Sequence, residues 1–170
     1  MLTLILFNTV KGYVGLLGSE KGLKRVILPL QKPQDVIDIA SVDHIFSCDN
    51  NSTCLGDLPL RLGLYFEGKK VEFNDSIDLE NATEYQKKIW NTARRIPYGT
   101  TVSYKQLAQM AGNYKSARAA GNALAGNPVP IIVPCHRVIG SNNKLGGFSG
   151  GLDMKRYLLK LESSDNNSSY

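Results

Sequence analysis

The run Val133-Pro134-Cys135-His136-Arg137-Val138 sets one cysteine between a proline and two basic residues. A free thiol has a pKa of about 8.5 and reacts as the thiolate, and a neighbouring His or Arg lowers that value. Cys135 therefore reads as a nucleophile rather than as one more small buried hydrophobe. A glycine-rich loop follows, Gly146-Gly147-Phe148-Ser149-Gly150-Gly151, and such loops let backbone N–H groups approach a ligand closely. Upstream, Ser116 to Ala125 is built almost wholly of small residues around Arg118. An unpaired guanidinium is almost never buried, so Arg118 points to a surface that meets something.

Several elements must position these residues, and the pattern predicts an α+β chain. Leu2–Phe7, Tyr13–Leu17 and Leu23–Leu28 are short aliphatic runs punctuated by Gly12, Gly18-Ser19 and Gly22, which predicts a small antiparallel sheet. Pro33 to Ala40 has helical spacing with proline in the first turn, Asp43 to Leu58 is polar and irregular, and Leu60 to Phe66 reads as a short apolar helix. Glu67 to Asn81 is an acidic connector. The expected domains are 1–80, an N-terminal support domain, and 81–162, a mostly helical reactive domain, with 163–170 a flexible tail.

The reactive half opens on a capping box, Thr83 to Gln86, before a helix with Tyr85, Ile89, Trp90 and Ala93 on one face. A second capping box, Ser103 to Gln106, starts a helix that turns Leu107, Ala108 and Ala111 inward and stops at Gly112. The Ser116–Ala125 helix follows almost at once, which suggests a winged-helix-like helix-turn-helix. Gly126-Asn127-Pro128-Val129-Pro130 reads as a rigid turn and Ile131–Val133 as an extended stretch delivering Cys135. Leu152 to Glu162 is expected to be amphipathic, with Leu152, Tyr157, Leu158 and Leu161 available for burial.

Charge divides the chain more sharply than its net of +5 suggests. Residues 1–84 hold 8 Lys and Arg against 12 Asp and Glu, and residues 85–170 hold 12 against 3. A basic C-terminal half suggests a polyanionic partner, nucleic acid first. The apolar start lacks a basic n-region and no membrane-spanning run follows. The expectation is an intracellular, cytoplasmic protein, nuclear in a eukaryote, with no membrane partner. Three cysteines suit a reducing compartment. His44, Cys48 and Cys54 are too few for a zinc site, so neither a metal nor a diffusible cofactor is expected, and pairing of Cys48 with Cys54 stays open.

Tyr98-Gly99, Ser103-Tyr104, Ser116-Ala-Arg118-Ala119, Gly126 to Pro130, Pro134-Cys-His-Arg-Val138 and Gly146 to Gly151 occur in an order that closely resembles the O6-alkylguanine-DNA alkyltransferases. The match runs from about Tyr85 to Glu162, and the Pro-Cys-His-Arg-Val core is its most specific part. Cys135 argues against the related damage sensors that lack the acceptor. The resemblance implies one-step, single-turnover transfer of an alkyl group from O6 of guanine in double-stranded DNA to Cys135. It further implies His136 as the base, through a water because neighbours on an extended segment face opposite ways, and Glu162 as the group orienting the imidazole. Asn127 would brace the active-site turn, and Tyr104 would donate to the guanine ring. The Ser149 N–H would serve the departing O6, and the carbonyls of Cys135 and Val138 would accept from the exocyclic amine. Gly146 and Phe148 complete the substrate wall, Phe148 replacing a tyrosine common in relatives. A flipped base implies that Arg118 enters the vacated space, with Ala117, Ala119, Gly121, Ser103, Tyr104 and Asn113 at the minor groove. The protein is expected to act as a monomer.

Two other readings use the same residues. A helix-turn-helix regulator with a sensor cysteine would bind a specific sequence, usually as a dimer, and a Cys-His-Glu hydrolase would turn over acyl substrates.

Overall fold

The computed structural model describes residues 2–43, 46–48, 55–112, 116–141 and 144–163. It is an α+β chain in two compact units, Met1–Leu79 and Glu80–Tyr170.

In the first unit, β1 (Leu2–Thr9), β2 (Gly12–Ser19) and β3 (Gly22–Leu30) form an antiparallel meander. Alternation along the strands sends Leu4, Leu17 and Ile27 to one face, where they pack with Val36 and Ala40 of α1 (Pro33–Asp43). Next, β4 (Phe46–Cys48) pairs parallel with β1, giving the order β3-β2-β1-β4. This strand lies inside the stretch expected to be irregular. Three residues in a polar context carry no alternation to read, and pairing with β1 is what makes them a strand. Helix α2 (Leu58–Phe66) buries Leu58, Leu62, Tyr65 and Phe66. Arg61 on its other side binds Asp57 at 2.8 Å and Asp75 at 2.5 Å, holding the irregular segment that follows. His44 and Cys54 lie outside the described residues.

The second unit starts with α3 (Glu84–Ala93), where Thr83 and Gln86 form both bonds of the capping box. Ile89, Trp90, Thr92 and Ala93 are buried, whereas Tyr85 is half-buried. Strand β5 (Val102–Ser103) runs straight into α4 (Tyr104–Met110), again through a complete capping box, Ser103 with Gln106. Helix α5 (Ala117–Ala125) is capped by Ser116, whose hydroxyl accepts from the Ala119 N–H. Its inner face is Ala120, Ala123 and Leu124, and Trp90 Nε1 donates to the Ala123 carbonyl at 2.8 Å, tying α5 to α3.

A 3-10 turn (Cys135–Arg137) leads into β6 (Val138–Ile139), which pairs parallel with β5 through Val102 with Val138 and Ser103 with Ile139. Among the described residues this parallel pair is the sheet of the unit, and it supplies no wing hairpin. Its register sets Tyr104, the first residue of α4, beside the segment that follows the cysteine. Helix α6 (Gly151–Ser163) closes the unit with Lys155, Leu158 and Glu162 buried. Leu152, expected inside, is 44% exposed: the buried stripe starts at Lys155, one turn later. Among the described residues no helix is long and apolar enough to cross a membrane.

Candidate active site around Cys135

The sequence pattern reads 131–133 as extended, but the chain turns there instead. Ile131 has φ +75°, the left-handed region that a β-branched residue rarely enters. Burial of Ile131 and a Val133 N–H bond to the Val129 carbonyl at 2.9 Å hold it there. Pro134, at φ −78° and ψ 63°, then makes an inverse γ-turn, with Cys135 N–H donating to the Val133 carbonyl at 2.7 Å. The expectation that Cys135 and His136 alternate along an extended strand is therefore corrected. They sit on a 3-10 turn, whose three residues per turn fan side chains apart by roughly 120°.

Asn127 holds this double turn together. Its Nδ2 donates to the Val133 carbonyl at 3.0 Å and to Cys135 Sγ at 3.2 Å, while its Oδ1 accepts from Val129 N–H at 3.0 Å. Every polar atom of the amide is thus used between the turn and the sulfur.

Cys135 is 6% exposed and lies in the wall of a cavity of about 590 Å³. Tyr104 and Lys105 from α4, Ala117, Arg118, Gly121, Leu124 and Ala125 from α5, and Ser141, Gly147, Phe148 and Ser149 from the following loops complete it. Arg118 and Ala117 are exposed, Ala119 and Gly121 half-buried. Ser103 serves as the α4 cap, and Asn113 lies outside the described residues. Gly146 is at φ +68°, and a Cβ there would sit 2.7 Å from the Tyr104 hydroxyl. Only glycine lets loop and tyrosine approach so closely. The Tyr104 hydroxyl lies 3.5 Å from the Gly147 carbonyl, and burial pushes its pKa up.

Behind the sulfur lies a buried charge cluster. Glu162 Oε1 accepts from His136 Nε2 at 2.8 Å and Arg137 Nη2 at 2.9 Å. Its Oε2 accepts from Arg137 Nε at 2.8 Å and from the Gly99 N–H at 3.1 Å. Gly99, at φ +73°, is the turn residue that aims this N–H. Burial alone would raise the Glu162 pKa, but the bonds from His136 and Arg137 outweigh it and hold the carboxyl well below its usual range. Burial pushes the His136 pKa down, against the raising effect of Glu162. Burial thus favours the neutral ring, and its Nδ1 is also buried.

The expectation that flanking basic residues lower the thiol pKa is corrected too. Burial pushes Cys135 up. The Asn127 bond, the Lys155 charge and the backbone N–H groups of Cys135 and His136 offset this in part. Arg137 is engaged by Glu162, and its Nη1 donates to the Ile96 carbonyl at 2.7 Å. The cation that bears on the sulfur is Lys155, which the pattern reading missed. Fully buried on α6, its Nζ donates to the Val138 carbonyl at 2.7 Å, to the Leu145 carbonyl, and at 3.5 Å to that of Gly147. It also sits 5.9 Å from the Tyr104 ring centroid. The signal was available: Lys155, Leu158 and Glu162 share the stripe that an amphipathic helix buries. The Val138 carbonyl thus already accepts from Lys155, and that of Cys135 from Val138 N–H. Each keeps a second lone pair.

The described residues contain no group of three or more His, Cys, Asp or Glu able to hold a metal. The geometry suits transfer of an electrophilic carbon to a sulfur at the wall of a pocket that an exposed helix with one arginine overhangs.

Comparison with known proteins agrees with that chemistry. Residues 84–164 match the family model described as 6-O-methylguanine DNA methyltransferase, DNA binding domain. A methylated-DNA–protein-cysteine methyltransferase of Methanosarcina acetivorans is 41% identical over 94% of this chain and 97% of its own. Its namesake in Mycolicibacterium paratuberculosis is 48% identical over 60% of the chain. Mycobacterium tuberculosis OGT in complex with DNA superposes with TM-score 0.81 at 34% identity, covering 95% of this chain and 93% of that one.

Proposed function

The chain belongs to the methylated-DNA–protein-cysteine methyltransferase family, and from that premise we propose that it repairs O6-alkylguanine in double-stranded DNA by direct, single-turnover transfer of the alkyl group to Cys135. The observation that carries the proposal is the sulfur of Cys135 in the cavity wall, with Asn127 on one side, the His136–Glu162 pair behind, and the Arg118 helix at the rim.

In the reaction the thiol proton passes to His136 Nδ1, through a water, and the ring keeps its Nε2–H on Glu162. A bond forms between sulfur and the alkyl carbon as the carbon–O6 bond breaks, and that electron pair leaves with the guanine. A thiolate is the soft nucleophile such a displacement needs. Tyr104 neutralises the charge arising on the departing base by donating its proton or hydrogen bond, and the Ser149 N–H serves O6. The resulting thioether resists water, so each molecule acts once. No cofactor takes part.

An O6 atom in a stacked pair cannot reach this cavity, so the nucleotide must rotate out at a cost of a few kcal/mol. Of the exposed residues of α5, Ala117, Arg118 and Ala125 line the cavity. The small side chains of Ala117 and Ala125 suit a minor groove, with Arg118 filling the vacated space and Ala119, Gly121 and Ser103 close to the DNA backbone. Gly146, Phe148 and the Val138 carbonyl complete the base site. Unit 2 carries this work and unit 1 supports it. The protein acts as a monomer in the compartment that holds the DNA.

The test mixes protein with excess duplex bearing a radiolabelled O6-methylguanine. One label per molecule, absent in Cys135→Ala, is expected. Label released into solution, or turnover beyond one equivalent, overturns the proposal.

A further inference from the structure

Arg137 does not line the cavity. Its guanidinium turns to Glu162 through Nε and Nη2, to the Ile96 carbonyl through Nη1, and stacks 5.7 Å from the Tyr98 ring centroid. A buried arginine at the end of the reactive turn that gives both Nε and Nη2 to a carboxylate shared with His136 is placed to act on the imidazole.

At least four hydrogen bonds reach the carboxylate, two on each oxygen. An ionised carboxylate only accepts, so the ring nitrogen 2.8 Å from Oε1 carries its proton. Two ring states satisfy that bond: the imidazolium, and the neutral Nε2–H tautomer with a lone pair on Nδ1. The imidazolium cannot take a proton from the thiol. A lone buried carboxylate against a buried imidazole draws the ring toward the imidazolium. Here the same carboxylate is also bound by a guanidinium that never gives up its charge, and most of its field is spent there. Lys155, from α6, adds a second positive charge facing the ring, and burial acts in the same sense.

We infer that Arg137 is a positioning residue for the proton transfer: by sharing Glu162 it keeps His136 as the neutral Nε2–H tautomer, so that Nδ1 is unprotonated when the proton of Cys135 arrives. This rests on the alkyl-transfer reading, because only thiol activation makes the state of the ring matter. Removing Arg137 takes its guanidinium off Glu162 and leaves the carboxylate charge facing His136 and the Gly99 N–H, and the ring fills its second site at neutral pH. The loss is one of the base, not of the nucleophile or of DNA binding.

The chain has two histidines, so a His44→Gln background leaves one imidazole to observe by 15N NMR in the full-length protein. At pH 7 Nε2 is expected to resonate as a protonated nitrogen and Nδ1 as an unprotonated one. In Arg137→Met both are expected protonated, with the ring titration moved up by about one unit or more. The acid limb of the single-turnover rate should move by the same amount. At pH 7 transfer should slow by roughly tenfold, part of what a general base contributes, and recover as the pH rises. Arg137→Lys, which keeps the charge without the fork, should lie between. A wild-type ring protonated on both nitrogens, or on Nδ1 alone, overturns the assignment even if Arg137→Met fails to fold. So does an Arg137→Met profile that is lowered uniformly across pH. The spectra involve no DNA: a chain that takes no methyl label sinks the repair reading, whereas the ring spectrum decides the role of Arg137 by itself.

Discussion

Replacing Lys155 by Met keeps the length of the side chain and removes the ammonium, so it isolates what that buried charge contributes. The ammonium binds the Val138 carbonyl, directly after the reactive turn, and the carbonyls of Leu145 and Gly147 in the glycine-rich loop. It is a clasp between the segment after the reactive turn and the glycine-rich loop. A hydrogen bond to a charged group is worth about 1.5–3 kcal/mol net, so the two close bonds together supply roughly 3–6 kcal/mol. Burying an ammonium costs several kcal/mol, which Met recovers. Global stability should therefore fall by only about 2 kcal/mol. The effect on transfer should be larger, because the loop that carries Ser149 loses its anchor and the sulfur loses the one cation whose charge favours the thiolate. A single-turnover assay on O6-methylguanine duplex at pH 7.5 should show a loss of more than about tenfold, as misplacement of positioning groups produces. The thiol should also titrate higher in iodoacetamide labelling. A folded Lys155→Met protein that transfers methyl within threefold of wild type, a difference of about 0.6 kcal/mol, would refute the clasp.

Gly146→Ala should slow transfer while leaving the protein folded, because the added Cβ falls 2.7 Å from the Tyr104 hydroxyl and 2.9 Å from its Cε2, at a left-handed φ that costs alanine about 1 kcal/mol. Gly147→Ala, whose Cβ meets nothing within 4 Å, is the control, and equal effects at both positions would remove the steric account. Arg118→Ala should weaken repair in duplex more than reaction with free O6-methylguanine and reduce the salt slope of binding by about one; parallel losses on both substrates would remove its role in flipping. The site should also make the fold acid-labile. The His136 pKa lies below its ordinary 6.5 and that of Glu162 below its ordinary 4.5. Each therefore contributes stability above its unfolded value that is lost as pH falls, His136 first. Urea denaturation from pH 7.5 to 5 should show stability dropping by up to about 1.4 kcal/mol per unit below 6.5, and His136→Gln should flatten that slope; an unchanged slope would contradict burial of a neutral ring.

Much of the fold was legible because local signals and tertiary structure agree. Thr83 with Gln86 and Ser103 with Gln106 announce helix starts through bonds made within four residues. The three strands of the meander are cut out by glycines at their turns. Where the partner is distant the reading failed. β4 is a strand because β1 lies beside it. Ile131 to Val133 is as apolar and β-branched as any strand, yet it is folded back on itself by Val129 and Asn127. Leu152 is apolar and still faces out, since the phase of α6 is set by the charged residues it must bury.

The site was legible in its composition but not in its wiring, and the reason is that adjacency along the chain was taken for adjacency in space. A cysteine followed by two basic residues reads as an activated thiol. On a 3-10 turn those neighbours are thrown to other sides, and both find Glu162, some 25 residues further on. The charge that acts on the sulfur comes from Lys155, also on α6. One helix thus supplies both the carboxylate that binds His136 and the cation whose charge favours the Cys135 thiolate, one turn-pair apart on its buried stripe. Burial pushes the sulfur toward the protonated form and the ring toward the neutral one, so in the proposed mechanism the thiolate forms as its proton is taken up by His136. On that proposal nucleophile and base are made together, and a change on α6 that touches either one alters both.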